Sequence, residues 1–514
     1  MYLLEIFCTL ENTGEFVILS LERKIGMILS MYARKKAWSK LIDVVVWVAD
    51  KRPVMRFLVS KAEKKLWTSI VEETQDSIWP AQELKYHFVR NLLKTTEDHL
   101  ARGIMSKHVF REMVKVFVRN VFVEDMSLRD IIKEQREDAV NPSFIVLSPT
   151  QLCNLNCQGC YASSASHSKS SLPYHVAHRI IREKVAFWHS HFTVVSGGEP
   201  FFWRSENKGL VDLARANKDN FFIVYTNGTL INKDLARQLA EVGNITPAIS
   251  VEGFEEKTDR RRGKGVFKKI MEAFHNLREA GVPFGISVQA TRENWEEVTS
   301  KEFLRFYFDE QGVFYGWLFQ YMPIGRSYTL REMVTPEQRL EMFKRNVWAV
   351  KKGGYNYIDF WNQGVMTDGC LAGGRNGGYL YIDWNGNVMP CVFIPFHCDN
   401  ILTIYDQGGT LNDVLYSAYF KKIREWQHDY ALGRPAREKG NLILPCPIRD
   451  HHEAIYRILQ DSRRVVPSDE PAKVSIEDNA YHEGLFAYDE ALREVIDPLW
   501  QEEYKSTLSL RRHP

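Results

Sequence analysis

Between Ser143 and about Tyr328, short apolar runs alternate with longer segments of helical periodicity. Six runs read as strands, at 144–149, 192–196, 221–226, 246–251, 284–290 and 316–322, while a stretch such as 265–280 repeats its apolar residues every three or four positions. Strands spaced by helices in this way predict an α/β fold, here a β/α barrel over residues 141–330. Each strand's C-terminal end carries polar residues or glycines that would face one mouth, the side on which such barrels place chemistry.

Outside that span the pattern differs. Residues 1–140 read as a mainly helical N-terminal region opening with a strand pair, Tyr2 to Leu10 and Phe16 to Leu21, around Asn12-Thr13-Gly14. The stretch from Arg111 to Arg119 is apolar enough for helix or strand and is rimmed by Arg and Lys. Ordinary domain packing explains it, and so does attachment to a membrane surface or an apolar substrate, because interfacial helices set basic residues beside Trp, Phe and Val. Residues 331–460 read as a further module. The tail 461–514, interrupted by Pro467, Pro471 and Pro498, reads as a linker followed by a helix.

A chain of 514 residues is long enough for two or three domains. Its net charge of +2, with acidic and basic residues interleaved, argues against nucleic acid as a partner. The strongest apolar run, Val44 to Val48, is far too short to cross a bilayer and is flanked by Asp43 and Asp50. The N-terminus lacks the order of a signal peptide. A cytoplasmic protein is expected, with peripheral membrane contact as an option. Eight cysteines, seven of them in ligand-like positions, suit a reducing compartment.

Cys153, Cys157 and Cys160 stand at CxxxCxxC spacing directly after the first strand, in the stretch Cys153-Asn154-Leu155-Asn156-Cys157-Gln158-Gly159-Cys160. Structural zinc takes four protein ligands, and a disulfide framework needs paired cysteines in a small secreted chain. Three thiolates can instead hold three irons of a 4Fe-4S cluster and leave the fourth open. This motif, with Asn154-Leu155 and Tyr161 around it, resembles that of the radical S-adenosylmethionine (SAM) enzymes. The resemblance implies a partial (β/α)6 barrel and SAM bound at the open iron. It further implies one-electron cleavage to a 5′-deoxyadenosyl radical that takes hydrogen from an unactivated carbon, with the electron coming from a donor such as flavodoxin or ferredoxin. Gly159 departs from the family, which often has an aromatic residue there.

Further matches follow in family order. Gly197-Gly198-Glu199, at the end of the second strand, resembles the motif for the SAM amino group: glycines admit close backbone approach and a carboxylate can take an ammonium. Asn227, in Tyr225-Thr226-Asn227-Gly228, and Ser250 would bond the ribose and the methionine carboxylate. Glu252 stands where relatives usually have Asp. Arg262 resembles the family's carboxylate-clamping arginine, with Arg260 and Arg261 beside it reading equally as a solvated loop. Gln289, Thr291 and Met322, at the ends of the last two strands, are expected SAM neighbours or ordinary rim packing.

Cys370, Cys391, Cys398 and Cys446 form a second set. Fifteen residues separate Cys370 from Gly386 and four separate Gly386 from Cys391, a spacing that resembles SPASM and twitch extensions. In these, Asp383-Trp384-Asn385-Gly386-Asn387 would turn a hairpin. Four cysteines, against seven in the full SPASM pattern, imply one auxiliary 4Fe-4S cluster with complete cysteine ligation. Tetrahedral zinc is the alternative, since four cysteines also satisfy it and His451 or His452 could replace one of them. Asp399 reads as a turn residue or as a proton acceptor, and Cys8 as a small apolar side chain. Two substrate classes stay open, a lipid chain or a peptide, the latter docked by the N-terminal hairpin and helices. A non-catalytic iron-sulfur or zinc protein is the remaining alternative.

Overall fold

The structure, a computed structural model, describes residues 46–47, 51–74, 76–117, 120, 140–462 and 464–506. The chain divides into two compact units, 1–48 and 49–514, and the elements below belong to the second. The expected hairpin within residues 2–21 and Cys8 lie outside the described residues.

Six parallel strands make the centre: β1 (Phe144–Leu147), β2 (Phe192–Val195), β3 (Phe221–Thr226), β4 (Ile245–Val251), β5 (Gly285–Ala290) and β6 (Tyr315–Gln320). Each pairs in parallel with the next. Their β-branched and aromatic sequences, such as Phe-Ile-Val-Leu in β1, suit strands covered on both faces. The crossovers are amphipathic helices. α1 (Tyr174–Trp188) buries Val176, Ala177, Ile180, Ile181 and Trp188 against the sheet and ends at His189, whose φ of 47° is left-handed. α2 (Lys233–Val242) starts where the Asn232 side chain accepts from the Leu235 N–H and stops at Gly243.

The sheet does not end at β6. β7 (Tyr357–Asp359) adds in parallel beside β6, and β8 (Tyr379–Ile382) adds in parallel beside β1, pairing Phe144 with Tyr379 and Leu147 with Ile382. Antiparallel β9 (Asn387–Met389) and β10 (Asp399–Asn400) follow β8, giving ten strands. The Asn385-Gly386 turn between β8 and β9 forms where expected: Asp383 Oδ1 accepts from the Asn385 and Asn387 N–H groups, and Gly386 has a φ of 82°. The strands after residue 330 thus continue the barrel's own sheet.

The ambiguous basic-apolar stretch is helical over Lys107–Met113, with Ser106 capping it. Upstream, α3 (Arg52–Trp67) packs on α4 (Trp79–Ala101). At the C-terminus α5 (Asn479–Leu499) lies along α6 (Pro336–Trp348), where Leu492, Ile496 and Trp500 join Phe343 and Val350 in a second buried cluster. Pro498 stands inside this helix, which continues through wider turns over Trp500–Lys505.

Candidate active site at the barrel mouth

The loop after β1 carries the first thiols, and its backbone is bonded down from several sides. Cys153 is buried and Cys157 and Cys160 are half-buried, with none in a disulfide. The Cys153 N–H donates to the Ala165 carbonyl at 3.2 Å. Its sulfur receives the Leu155 N–H at 3.5 Å and the Asn227 amide at 3.8 Å. Burial pushes its thiol up to about 12, disfavouring the bare thiolate. Gly159 has a physical reason for departing from the aromatic pattern. Its φ of 59° is left-handed, and an added Cβ would stand 3.3 Å from the Tyr321 ring.

The glycine pair at the end of β2 lies against this loop. A Cβ on Gly198 would fall 2.2 Å from the Leu152 carbonyl oxygen, and one on Gly197 2.7 Å from that of Thr150. The Gly198 and Glu199 N–H groups donate to those same two carbonyls. Tyr161 completes the tie, its hydroxyl bonding Ser196 and receiving the Gly197 N–H at 3.1 Å.

Glu199 is fully buried and turns inward. One oxygen accepts from the Thr226 hydroxyl at 2.7 Å and the Phe201 N–H at 3.1 Å; the other accepts from the Asn227 N–H at 2.8 Å. Burial pushes its carboxyl up to about 7, against the downward pull of these donors. The carboxylate thereby joins the ends of β2 and β3 and sets Asn227, whose amide reaches Asn154 at 2.8 Å.

Arg262 is likewise engaged. Its Nε and Nη2 donate to Glu252 Oε1 at 2.9 and 2.5 Å, and Arg261 reaches the same oxygen. Glu252, nearly buried, is therefore the anchor of both arginines, while its Oε2 has no hydrogen-bond partner. Arg260 points outward to Glu293.

Two residues that the sequence reading passed over brace the cysteine loop from beyond β6. The Arg326 N–H donates to the Cys160 carbonyl at 3.0 Å, and its guanidinium bonds the carbonyls of Cys157 and Ser164. Gly325 makes this possible, since a Cβ there would sit 2.2 Å from the Tyr161 carbonyl oxygen. The available signal was a Gly-Arg pair in a short turn directly after the sixth strand.

Of the second set, Cys391 and Cys446 are buried and Cys370 is half-buried. Cys391 Sγ lies 2.9 Å from the Tyr379 hydroxyl of β8, and burial pushes this thiol too up to about 12. The Cys370 carbonyl is held by Arg375 at 2.6 Å and Gln427 at 3.2 Å, and the Cys446 N–H donates to Asp450 at 3.1 Å. Asp450 is in turn held by the buried Arg339. His451 and His452 point elsewhere, to the carbonyls of Leu444 and Ile448, both at 2.9 Å. Among the described residues no three His, Cys, Asp or Glu side chains are gathered closely enough to share one metal ion.

One cavity of about 450 Å³ collects most of these groups. Cys153, Cys157, Cys160, Gly197, Gly198, Asn227, Ser250, Arg262, Gln289 and Met322 line it, and so do Cys370, Cys391 and Cys446. Glu199, Cys398 and Thr291 do not. Between the two thiol sets the wall is aromatic: Phe393 packs on Trp361 at 4.8 Å, Phe360 at 6.0 Å and Phe319 at 6.1 Å between ring centres. Asp359, fully buried at the same wall, is occupied by Gln320 at 2.9 Å and by the N–H groups of Trp361 and Asn362.

Comparison with known proteins agrees with this geometry. Residues 147–304, from the end of β1 to the segment before β6, match the Radical SAM superfamily. Over 305 residues the chain is 30% identical to the mycofactocin maturase MftC of Mycolicibacterium smegmatis, covering 56% of this chain and 73% of that protein. It is 27% identical over 288 residues to an AdoMet-dependent heme synthase of Methanosarcina barkeri, covering 51% of this chain and 79% of that one. With the Fe-coproporphyrin III synthase of the same organism, 30% identity extends over 158 residues and spans 30% of this chain and only 38% of the relative. The family match lies on the strands that carry the first thiol set, and the maturase match runs well past them: the chain belongs to the radical SAM superfamily.

Proposed function

We propose that the chain binds SAM beside a 4Fe-4S cluster held by Cys153, Cys157 and Cys160 and removes hydrogen from an apolar C–H group of its substrate. When bound, cluster and SAM supply the electron and the 5′-deoxyadenosyl radical. The observation that carries this reading is the shared cavity, in which the first thiols, the glycine pair and the polar ends of β3 to β5 meet an aromatic wall. Gly197 and Gly198 let backbone approach a ligand, Ser250 and the unpartnered Gln289 Oε1 offer it hydrogen bonds, and Asn227, held by Asn154 and Thr229, lines its place. Arg262, steadied by Glu252, presents positive charge to a carboxylate. The apolar remainder excludes water, which protects a reactive radical from side reactions.

Cys370, Cys391 and Cys446 would hold an auxiliary iron-sulfur cluster across the chamber, placed to take an electron from a product radical or to bind substrate. An apolar wall rather than a wide polar groove supports a lipid chain or an apolar peptide side chain as the reacting group. The α3 helix favours the lipid. It exposes Val54, Phe57 and Leu58, Phe57 at 60%, on one stripe with the exposed Lys61, Lys64 and Lys65, an arrangement that suits an anionic membrane surface. The peptide reading draws on the relative named as a maturase. A flavodoxin or ferredoxin would supply electrons.

Anaerobic protein with dithionite and SAM should yield 5′-deoxyadenosine, and joint change of Cys153, Cys157 and Cys160 to Ala should abolish it. Continued cleavage in that variant refutes the assignment. Metal analysis should find about eight irons per chain, whereas about four irons and one zinc would support a zinc module instead. Flotation with anionic vesicles, lost in Phe57→Ser/Leu58→Ser, would favour the lipid; equal flotation of the variant removes that support.

A further inference from the structure

Cys398 stands apart from the other thiols of its set. Cys370, Cys391 and Cys446 all line the chamber and Cys398 does not. It lies at the junction of two short pairings, Phe396–His397 with Val466–Pro467 and β10 with β9. Its Sγ is turned to the carboxylate of Asp399 at 3.3 Å. Strand pairing on both sides fixes the backbone at this residue.

The carboxylate and imidazole groups near that end are already engaged. Asp359, the carboxylate on the wall, is taken up by Gln320, Trp361 and Asn362. His451 and His452 hold backbone carbonyls. What remains beside Cys391 and Cys446 is apolar wall, Trp361, Phe393 and Ile394 among it. Behind Trp361, its guanidinium 4.8 Å over the ring, lies Arg449. This arginine is buried; its Nε reaches Asp450 at 3.4 Å, a carboxylate it shares with Arg339, and both its terminal nitrogens lack a hydrogen-bond partner. A buried guanidinium with free donors favours negative charge nearby.

From these placements, and resting on the auxiliary cluster of the proposed function, we infer that this cluster is held by Cys370, Cys391 and Cys446 alone. Three such ligands would leave one coordination position of the cluster to an anionic donor, a thiolate or carboxylate, from the substrate. Cys398 is then a structural thiol. The auxiliary site would position the substrate by direct ligation, with the donor group at one end of an apolar body that fills the aromatic part of the chamber.

The test uses the full chain with Cys153, Cys157 and Cys160 changed to Ala, so that only the second cluster is loaded. This protein should carry about four irons, and adding Cys398→Ala should leave iron content and the dithionite-reduced EPR spectrum unchanged. Adding Cys370→Ala or Cys446→Ala should remove the iron. Thiophenol or benzoate, each an aromatic body with one anionic donor, should shift the EPR g-values, with either ligand sufficient and the pair distinguishing sulfur from oxygen. Loss of the cluster in the Cys398→Ala protein, or a spectrum that neither probe moves, overturns the inference while leaving the auxiliary cluster standing. Zinc in place of iron overturns both. Should the triple-alanine protein fold poorly, the Cys398→Ala change in the otherwise intact holoenzyme decides the point: about eight irons supports the inference and about four overturns it.

Discussion

Cys153, Cys157 and Cys160 occupy one short loop, whereas Cys370, Cys391 and Cys446 are scattered from residue 370 to residue 446, yet all six line the same cavity. The first set is assembled locally. Its loop is fixed by contacts that need particular residues at particular places: glycines where Gly198 meets Leu152 and Gly325 meets Tyr161, and an arginine spanning two carbonyls. The second set is assembled by the sheet. β8 pairs with β1 and delivers Tyr379 to Cys391, while Cys370 and Cys446 are held by Arg375, Gln427 and the Asp450 pair with Arg339. Local assembly depends on close backbone contact, and long-range assembly on register and buried polar anchors.

That contrast is open to attack. The largest effect is expected from Gly198→Ala. Its Cβ would lie 2.2 Å from a backbone oxygen, so the glycine strand-end and the cysteine loop must separate. A displacement on the order of 1 Å should lower 5′-deoxyadenosine formation by about 100-fold and leave iron at the second set unchanged; equal loss at both sets would mean the two are not independent.

Arg326→Met comes next. It leaves the Cys157 and Ser164 carbonyls without their charged donor, at about 1–3 kcal/mol for each group left buried and unpaired. Iron at the first set should then be lost to a chelator roughly tenfold faster, as followed by absorbance. An unchanged rate would show that the brace is dispensable.

The third expectation concerns pH. Glu199 titrates near 7 in the folded protein, above its ordinary carboxylate value, so folding retains a proton that the unfolded chain has released. Its contribution to stability is therefore full at low pH and is lost as pH rises through about 7. Glu199→Gln lacks this slope. The wild type should lose stability relative to the variant by about 1 kcal/mol per pH unit between pH 5 and 7, measured by urea unfolding of apoprotein. Parallel curves for the two proteins would mean that Glu199 ionises as it does in water.

Much of the centre of this fold is legible in the sequence because a parallel strand buried on both faces must be apolar throughout. All six expected strands form within a few residues of the ranges read from periodicity, and the Asn385-Gly386 turn forms because that pair tolerates the required backbone. Contiguous motifs survive for the same reason: CxxxCxxC and Gly-Gly-Glu each lie on one turn. What periodicity cannot convey is where a side chain spends its hydrogen bonds. Glu199 turned toward Thr226 and Asn227, Arg262 toward Glu252, and Cys398 toward Asp399, each a choice made by partners distant in sequence or by backbone direction. Tyr357–Asp359 and Tyr379–Ile382 were missed as barrel-sheet strands because their places beside β6 and β1 are set by long-range pairing, which the pattern within a run does not convey.

The pairing of Phe144 with Tyr379 through Leu147 with Ile382 carries a wider implication. Since the ladder fixes β8 beside β1, the loops joining the intervening strands, apart from the cysteine loop, the glycine pair, the Gly325-Arg326 turn and the run from Cys370, are free to lengthen or shorten over evolutionary time without moving one strand against the other. A slip of a single position along the ladder, by contrast, would send every side chain of β8 to the opposite face and carry Tyr379 away from Cys391. Insertions should therefore be common among homologues in the loops and absent from these four rungs.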